Sequence, residues 1–122
     1  MQIVHVIPQL RTTNLAAAIE FYTVMLGFTL EFQYEDFYAC VRSGDQRVHL
    51  KLIDVPDPSI AFVDREEHFH LYFEAADVAA AADELKGKGV PLVRDVHDTA
   101  WRTRECDIRD PDGHTLYFGQ PL

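Results

Sequence analysis

Cysteine is scarce in this 122-residue chain: Cys40 and Cys106 are the only two, and no CxxC pair occurs. That excludes a disulfide scaffold and a thiolate zinc ribbon, and it fits a reduced cytoplasmic protein with two half-buried thiols. Long apolar runs are lacking too. No stretch is long enough to cross a bilayer and no basic-then-apolar leader is present, so no membrane contact is expected. Cationic side chains form the third shortage, with 11 Lys and Arg against 20 Asp and Glu, for a net charge of −9. Such a balance repels a nucleic acid backbone and excludes that class of partner. Its plainest meaning is solubility, and its sharper meaning is a cavity that favours cationic ligands. What remains is ordinary: 48% hydrophobic and 25% charged residues suit a single domain over 1–122.

The organisation is a tandem repeat. Asn14 is placed to cap a helix whose apolar positions Leu15, Ala18, Ile19, Tyr22 and Leu26 follow helical spacing, with Gly27 closing it. Asp77 caps a second helix striped by Val78, Ala81, Ala82 and Leu85 and closed by Gly87 and Gly89. Asn14 and Asp77 lie 63 residues apart, and Gly27 and Gly89 lie 62 apart. One extended run precedes each helix (2–11 and 66–74). Three follow each: 28–34, 37–42 and 47–54 in the first copy, then 91–97, 103–108 and 115–119 in the second. Ser43-Gly44-Asp45 turns the first copy, and Asp110-Pro111-Asp112-Gly113 turns the second with proline and glycine where a tight turn needs them. The spacing predicts an α+β chain of two β-α-β-β-β modules, 1–54 and 66–122, joined by a linker over 55–65.

Several stretches carry a resemblance. They are Phe21-Tyr22-x-x-x-Leu26-Gly27-Phe28, Trp101-x-x-Arg104 and Asp110-Pro111-Asp112-Gly113-His114-x-Leu116. Together they resemble the vicinal oxygen chelate superfamily, which includes glyoxalase I, extradiol dioxygenases, and fosfomycin- and bleomycin-resistance proteins. The run Asp36-Phe37 through Arg42-x-Gly44-Asp45-x-Arg47-x-His49 is most similar to the bleomycin-resistance branch. The resemblance implies a curled, open mixed sheet around a cavity with the helices outside. It also implies a homodimer whose sites join Ile7 and His49 of one subunit to His70 and Tyr117 of its mate.

Metal-dependent relatives place ligands at four recurring positions, which the resemblance carries onto Ile7, His49, His70 and Tyr117. Ile7 cannot ligate, and Tyr117 stands where a metal enzyme of this superfamily has a glutamate. A non-haem iron site needs two histidines and a carboxylate, and a catalytic zinc site needs three protein ligands with an open position. Two histidines fall short, so no cofactor is expected. The alternative is a divalent ion such as zinc, nickel or iron on His49 and His70, helped by His5 or His68. That requires a ligand displaced by two residues along a strand, roughly 6.6 Å.

Strand alternation sorts the side chains further. Val48, Leu50 and Leu52, like Phe69, Leu71 and Phe73, form apolar faces that must pack on helices. The opposite faces present Ile7, Gln9, His49, Lys51, His70, Tyr72 and Tyr117, a mixed surface suited to stacking on a flat ligand and fixing it with a few hydrogen bonds. Phe37 and Tyr38 flank the hairpin beside this surface, with Phe32 and Tyr34. Trp101 sits in a polar loop, as a stacking platform over a ligand or as a cover packed on Arg104. This surface has few carboxylates and no evident acid–base pair. The expected function is therefore metal-free binding of the bleomycin-resistance type, sequestering a drug or an aromatic or cationic metabolite. Alternatives are a metal-dependent lyase, transferase or dioxygenase, and a non-catalytic partner or regulatory module.

Overall fold

In the computed structural model of the protein, residues 1–53 and 70–122 are described. The expected linker over 55–65 and the start of the following run, His68 included, lie outside the described residues. The chain separates into two compact units, 1–60 and 61–122. Among the described residues no helix is long and apolar enough to cross a membrane.

Each unit is built the same way. Asn14 and Asp77 stand in extended backbone and accept a hydrogen bond from the amide three residues on, Ala17 at 3.1 Å and Ala80 at 3.0 Å. Each side chain thereby satisfies an otherwise orphaned donor at a helix start. In the first unit α1 spans Leu15–Glu20, and in the second α2 spans Val78–Gly87. The apolar spacing predicts one uniform helix to Leu26, but the helix widens into a π-turn over Phe21–Met25. The Thr23 hydroxyl donates to the Ile19 carbonyl at 2.7 Å, and Leu26 N–H donates five residues back to Phe21. A threonine back-bonded in this way loosens the regular ladder and favours the wider turn.

The first unit carries β1 (Gln9–Thr12), β2 (Thr29–Tyr34), β3 (Tyr38–Ser43) and β4 (Gln46–Leu52), in the sheet order β1-β4-β3-β2. The second carries β5 (His70–Glu74), β6 (Arg94–Asp98), β7 (Thr103–Arg109) and β8 (Thr115–Pro121), in the order β5-β8-β7-β6. In each sheet one pair is parallel, β1 with β4 and β5 with β8, and the remaining pairs are antiparallel. The fold class is thus α+β, two β-α-β-β-β modules each forming an open mixed sheet. The first strand starts at Gln9 rather than at Gln2, and this has a local cause. Pro8 has no N–H to give a ladder, and only its carbonyl is used, accepting from His49 N–H at 2.8 Å.

Helix α1 packs on β3 and β4, and α2 on β6, β7 and β8. Leu10, Val41, Val48 and Leu50 are buried under α1 with Leu15, Ala18 and Tyr22. Cys106 joins Val78 and Ala82 in the second core, with Leu92, Val96 and Phe118 against it. Each such large apolar side chain contributes about 1.5–3 kcal/mol when fully buried. Slipping a strand by one residue would expose the whole set, so the register, and with it the opposite polar face, is firmly specified.

Candidate functional site

The polar face of the first unit is held by hydrogen bonds among rings. Gln9 and His49 stand side by side across β1 and β4, while Cys40 faces His49 from β3. Gln9 Nε2 donates to Tyr38 Oη at 2.9 Å, and Tyr38 Oη lies 2.8 Å from His49 Nδ1. Tyr38 Oη thus bridges the Gln9 amide and the imidazole, and the bond at Nδ1 fixes the ring with Nε2 on its other side. A bulge between Leu30 and Phe32 turns both Glu31 and Phe32 toward this face. Phe32 stacks parallel to Tyr38 with centroids 6.4 Å apart and meets His49 edge-on. Glu31 takes two hydrogen bonds from Arg47, at 2.7 and 2.9 Å, which hold its carboxyl down at about 2. Lys51 lies 5.9 Å over the Phe37 ring. Ile7 is half-buried just ahead of β1, outside the strand on which it was expected.

The polar face of the second unit is a ladder of rings. The register aligns Tyr72 with Tyr117 and His70 with Thr115. Tyr72 and Tyr117 stack with centroids 6.4 Å apart and 20° between planes, and His70 lies 5.4 Å from Tyr117. The stack depends on Gly119, because a Cβ there would overlap the Tyr72 phenol. Trp101 is 70% exposed, and its indole N–H donates to Glu105 at 3.4 Å. The alternative partner, Arg104, is engaged by Asp98 at 2.8 Å. The indole is therefore a presented surface tied at one edge.

The expectation of a face poor in carboxylates needs correction. Glu105 and Asp107 lie on β7 with their side chains opposite the apolar Cys106 and Ile108, facing Gly119 and Tyr117 of β8. Both are buried, with 6% of their surface exposed. Glu105 is well supplied with donors: Thr103 Oγ1 at 2.8 Å and the Trp101 indole. Burial first, and then the Glu105 charge, raise the Tyr72 phenol above its ordinary value. Burial likewise raises Tyr117, so both rings stay neutral. Asp107 differs from Glu105. Burial raises its carboxyl above 3.8, and no hydrogen bond reaches it among the described residues. The alternation Glu105-Cys106-Asp107-Ile108 is the available signal: two apolar residues interleaved with two acids.

The two thiols occupy different settings. Cys106 is part of the apolar core, whereas Cys40 donates to Glu31 at 3.2 Å on the polar face. Burial pushes both thiols up to about 11, so neither is a nucleophile at neutral pH. As to a metal, the Nδ1 of His49 is occupied by Tyr38. Among the described residues, no three His, Cys, Asp or Glu side chains come together as a ligand set. Within the described residues the donor set falls short of the three protein ligands that a catalytic zinc or iron centre needs.

Comparison with known proteins agrees with this architecture. An uncharacterised protein of Mycolicibacterium smegmatis is 32% identical over 114 residues, 93% of this chain and 90% of that protein. Among solved structures, the bleomycin resistance determinant encoded on transposon Tn5 superposes with a TM-score of 0.79 at 18% identity, covering 98% of each chain. The bleomycin-binding protein of Streptomyces verticillus, solved with copper(II)-bleomycin, gives 0.75 at 23% identity, covering 97% of this chain and 96% of that one. The lactoylglutathione lyase of Agrobacterium tumefaciens gives 0.75 at 18% identity, covering 98% and 95%. Binding proteins and an enzyme thus share this backbone equally well, which leaves the activity to the side chains. Residues 2–118 match the family pattern itself, and the chain belongs to the Glyoxalase/Bleomycin resistance protein/Dioxygenase superfamily.

Proposed function

We propose that the protein is a metal-free small-molecule-binding protein of the bleomycin-resistance type, which sequesters a flat aromatic, cationic drug or metabolite in the cytoplasm and leaves it chemically unchanged. The observation that carries this reading is the ring ladder of His70, Tyr117 and Tyr72 with the exposed Trp101 indole tied to Glu105. Aromatic faces bind a flat ligand through offset stacking and lose little entropy on doing so. Tyr38 and His49 of the first unit support the same role, since their hydrogen bond fixes the imidazole through Nδ1 and leaves Nε2 for a ligand. Ile7 and Tyr117, in place of two ligating side chains, favour binding without a metal. The bleomycin-binding protein and the resistance determinant among the structural neighbours give the reading its precedent. A homodimer is part of the proposal.

Trp101 is the only tryptophan, so indole fluorescence reports on this face alone. Titration with a panel of planar aromatic compounds, cationic and neutral, is expected to quench or shift it saturably with at least the cationic members. A flat response across the panel overturns the reading. So does tight, stoichiometric uptake of zinc, nickel or iron that is lost on replacing His49 and His70.

A further inference from the structure

The second unit contains a buried acid that its fold does not use. Asp107 is 94% hidden, yet its carboxyl accepts no hydrogen bond among the described residues. Two positions along the neighbouring strand from its partner Tyr117, and on the same face, stands Thr115. Thr115 is 95% hidden, and among the described residues its Oγ1 has no hydrogen-bond partner. Thr115 Oγ1 is a buried polar atom left without a partner, and on the same face stands a carboxylate that no protein donor satisfies, an uncommon pairing. Across a β-pair, diagonal neighbours stand roughly 7 Å apart, close enough for one small group to reach both.

The surroundings narrow the identity of that group. From β5 come His70 and Tyr72, from β8 Tyr117, from β7 Glu105 and Arg109, and from β6 Arg94 and His97. Glu105 already accepts from Thr103 and Trp101. Arg94 stands opposite Asp107 in the ladder but is exposed and makes no ion pair with it among the described residues. A second carboxylate or phosphate would meet the like charge of Asp107 itself, which Arg94 across the ladder offsets only from an exposed position. A compact cation with only donors to offer fits both idle acceptors, and the stacked faces of Tyr72 and Tyr117 add a favourable ring field.

We propose that Asp107 and Thr115 form the seat for a primary ammonium group, and that the ligand class is therefore an aryl-alkylamine whose ring stacks on the Tyr72–Tyr117 ladder. The proposal rests on the binding role given above and specifies the charged end of the ligand. Asp107 accepts a charge-assisted hydrogen bond, Thr115 accepts a second, and ammonium binding releases the proton that burial favours on Asp107. Affinity consequently rises with pH through the Asp107 titration.

The test compares phenethylammonium with its neutral counterpart 2-phenylethanol, by amide NMR titration of the wild type, Asp107→Asn and Thr115→Val. In the wild type phenethylammonium is expected to bind about tenfold or more tighter than the alcohol. Asp107→Asn, an isosteric change, should bring that ratio close to one and abolish the Asp107-linked pH dependence. Any slope contributed by His70 or His97 persists in that variant and is thereby separated. Thr115→Val should weaken phenethylammonium severalfold and leave the alcohol unaffected. Equal binding of the two probes, or a preference that survives Asp107→Asn, overturns the ammonium seat while leaving aromatic binding intact. If neither probe binds, the seat fails along with the binding role.

Discussion

At the scale of single residues, the informative contrast is between two acids two positions apart on one strand. Glu105 is surrounded by donors and holds Trp101, while Asp107 is buried with nothing to accept from. The second arrangement costs stability, and the sign with pH follows from the raised carboxyl. Folded Asp107 binds its proton more tightly than the unfolded chain does, near 3.8. As pH rises from there through the folded value, the unfolded state gives up its proton first and the native state loses stability. Asp107→Asn removes that loss. The variant is expected to melt higher than the wild type at pH 7, by about 1 kcal/mol or roughly 4 °C, and the gap should close toward pH 4. Melting curves by circular dichroism across that range check it, and a variant less stable at pH 7 would mean that the carboxylate has a partner after all.

At the scale of elements, the duplication was legible because its punctuation is chemical. Asn14 and Asp77 cap, Gly27 and Gly89 adopt positive φ of 77° and 80° at the helix ends, and Asp110 Oδ1 accepts from Asp112 and His114 to make the final turn. Strand alternation placed Gln9, His49, Tyr72 and Tyr117 on polar faces, because buried partners such as Leu50 and Leu116 leave no freedom of register. Three features were not legible. The π-turn at Phe21–Met25 contains a Thr23 hydroxyl bonded back to Ile19, and a threonine at that spacing fits a regular helix equally well. The bulge at Glu31 has no local glycine to announce it. The burial of Glu105 and Asp107 is a tertiary property, and acids on a strand otherwise read as solvated. The equivalence of the two caps is itself testable. Asn14→Ala and Asp77→Ala should each lower stability by about 1 kcal/mol in urea unfolding, with m unchanged. A loss at only one of the two positions would mean that the copies no longer use their caps alike.

At the scale of the whole molecule, association must contend with the charge. The chain carries −9, and pairing two copies doubles it, so the Coulomb contribution to a homodimer is repulsive. The attraction has to come from apolar surface and free backbone edges. Strand β2 offers both: it ends its sheet, all six of its residues are exposed, and Leu30, Phe32 and Tyr34 are 40%, 45% and 61% exposed. An uncovered edge of that composition is one that natural proteins usually pair or protect with charge. Apolar Ile3, Val4 and Val6 ahead of β1 are likewise exposed. If such surfaces carry the contact, salt strengthens it, because screening weakens the repulsion and leaves apolar burial untouched. Sedimentation equilibrium at micromolar concentration should therefore find twice the 14.0 kDa chain mass, with a dimer fraction that grows from about 0.05 M to 0.5 M salt. A dimer that dissociates as salt is added would place ion pairs at the interface instead. A monomer at every salt concentration would leave each ring-lined face to be used within a single chain.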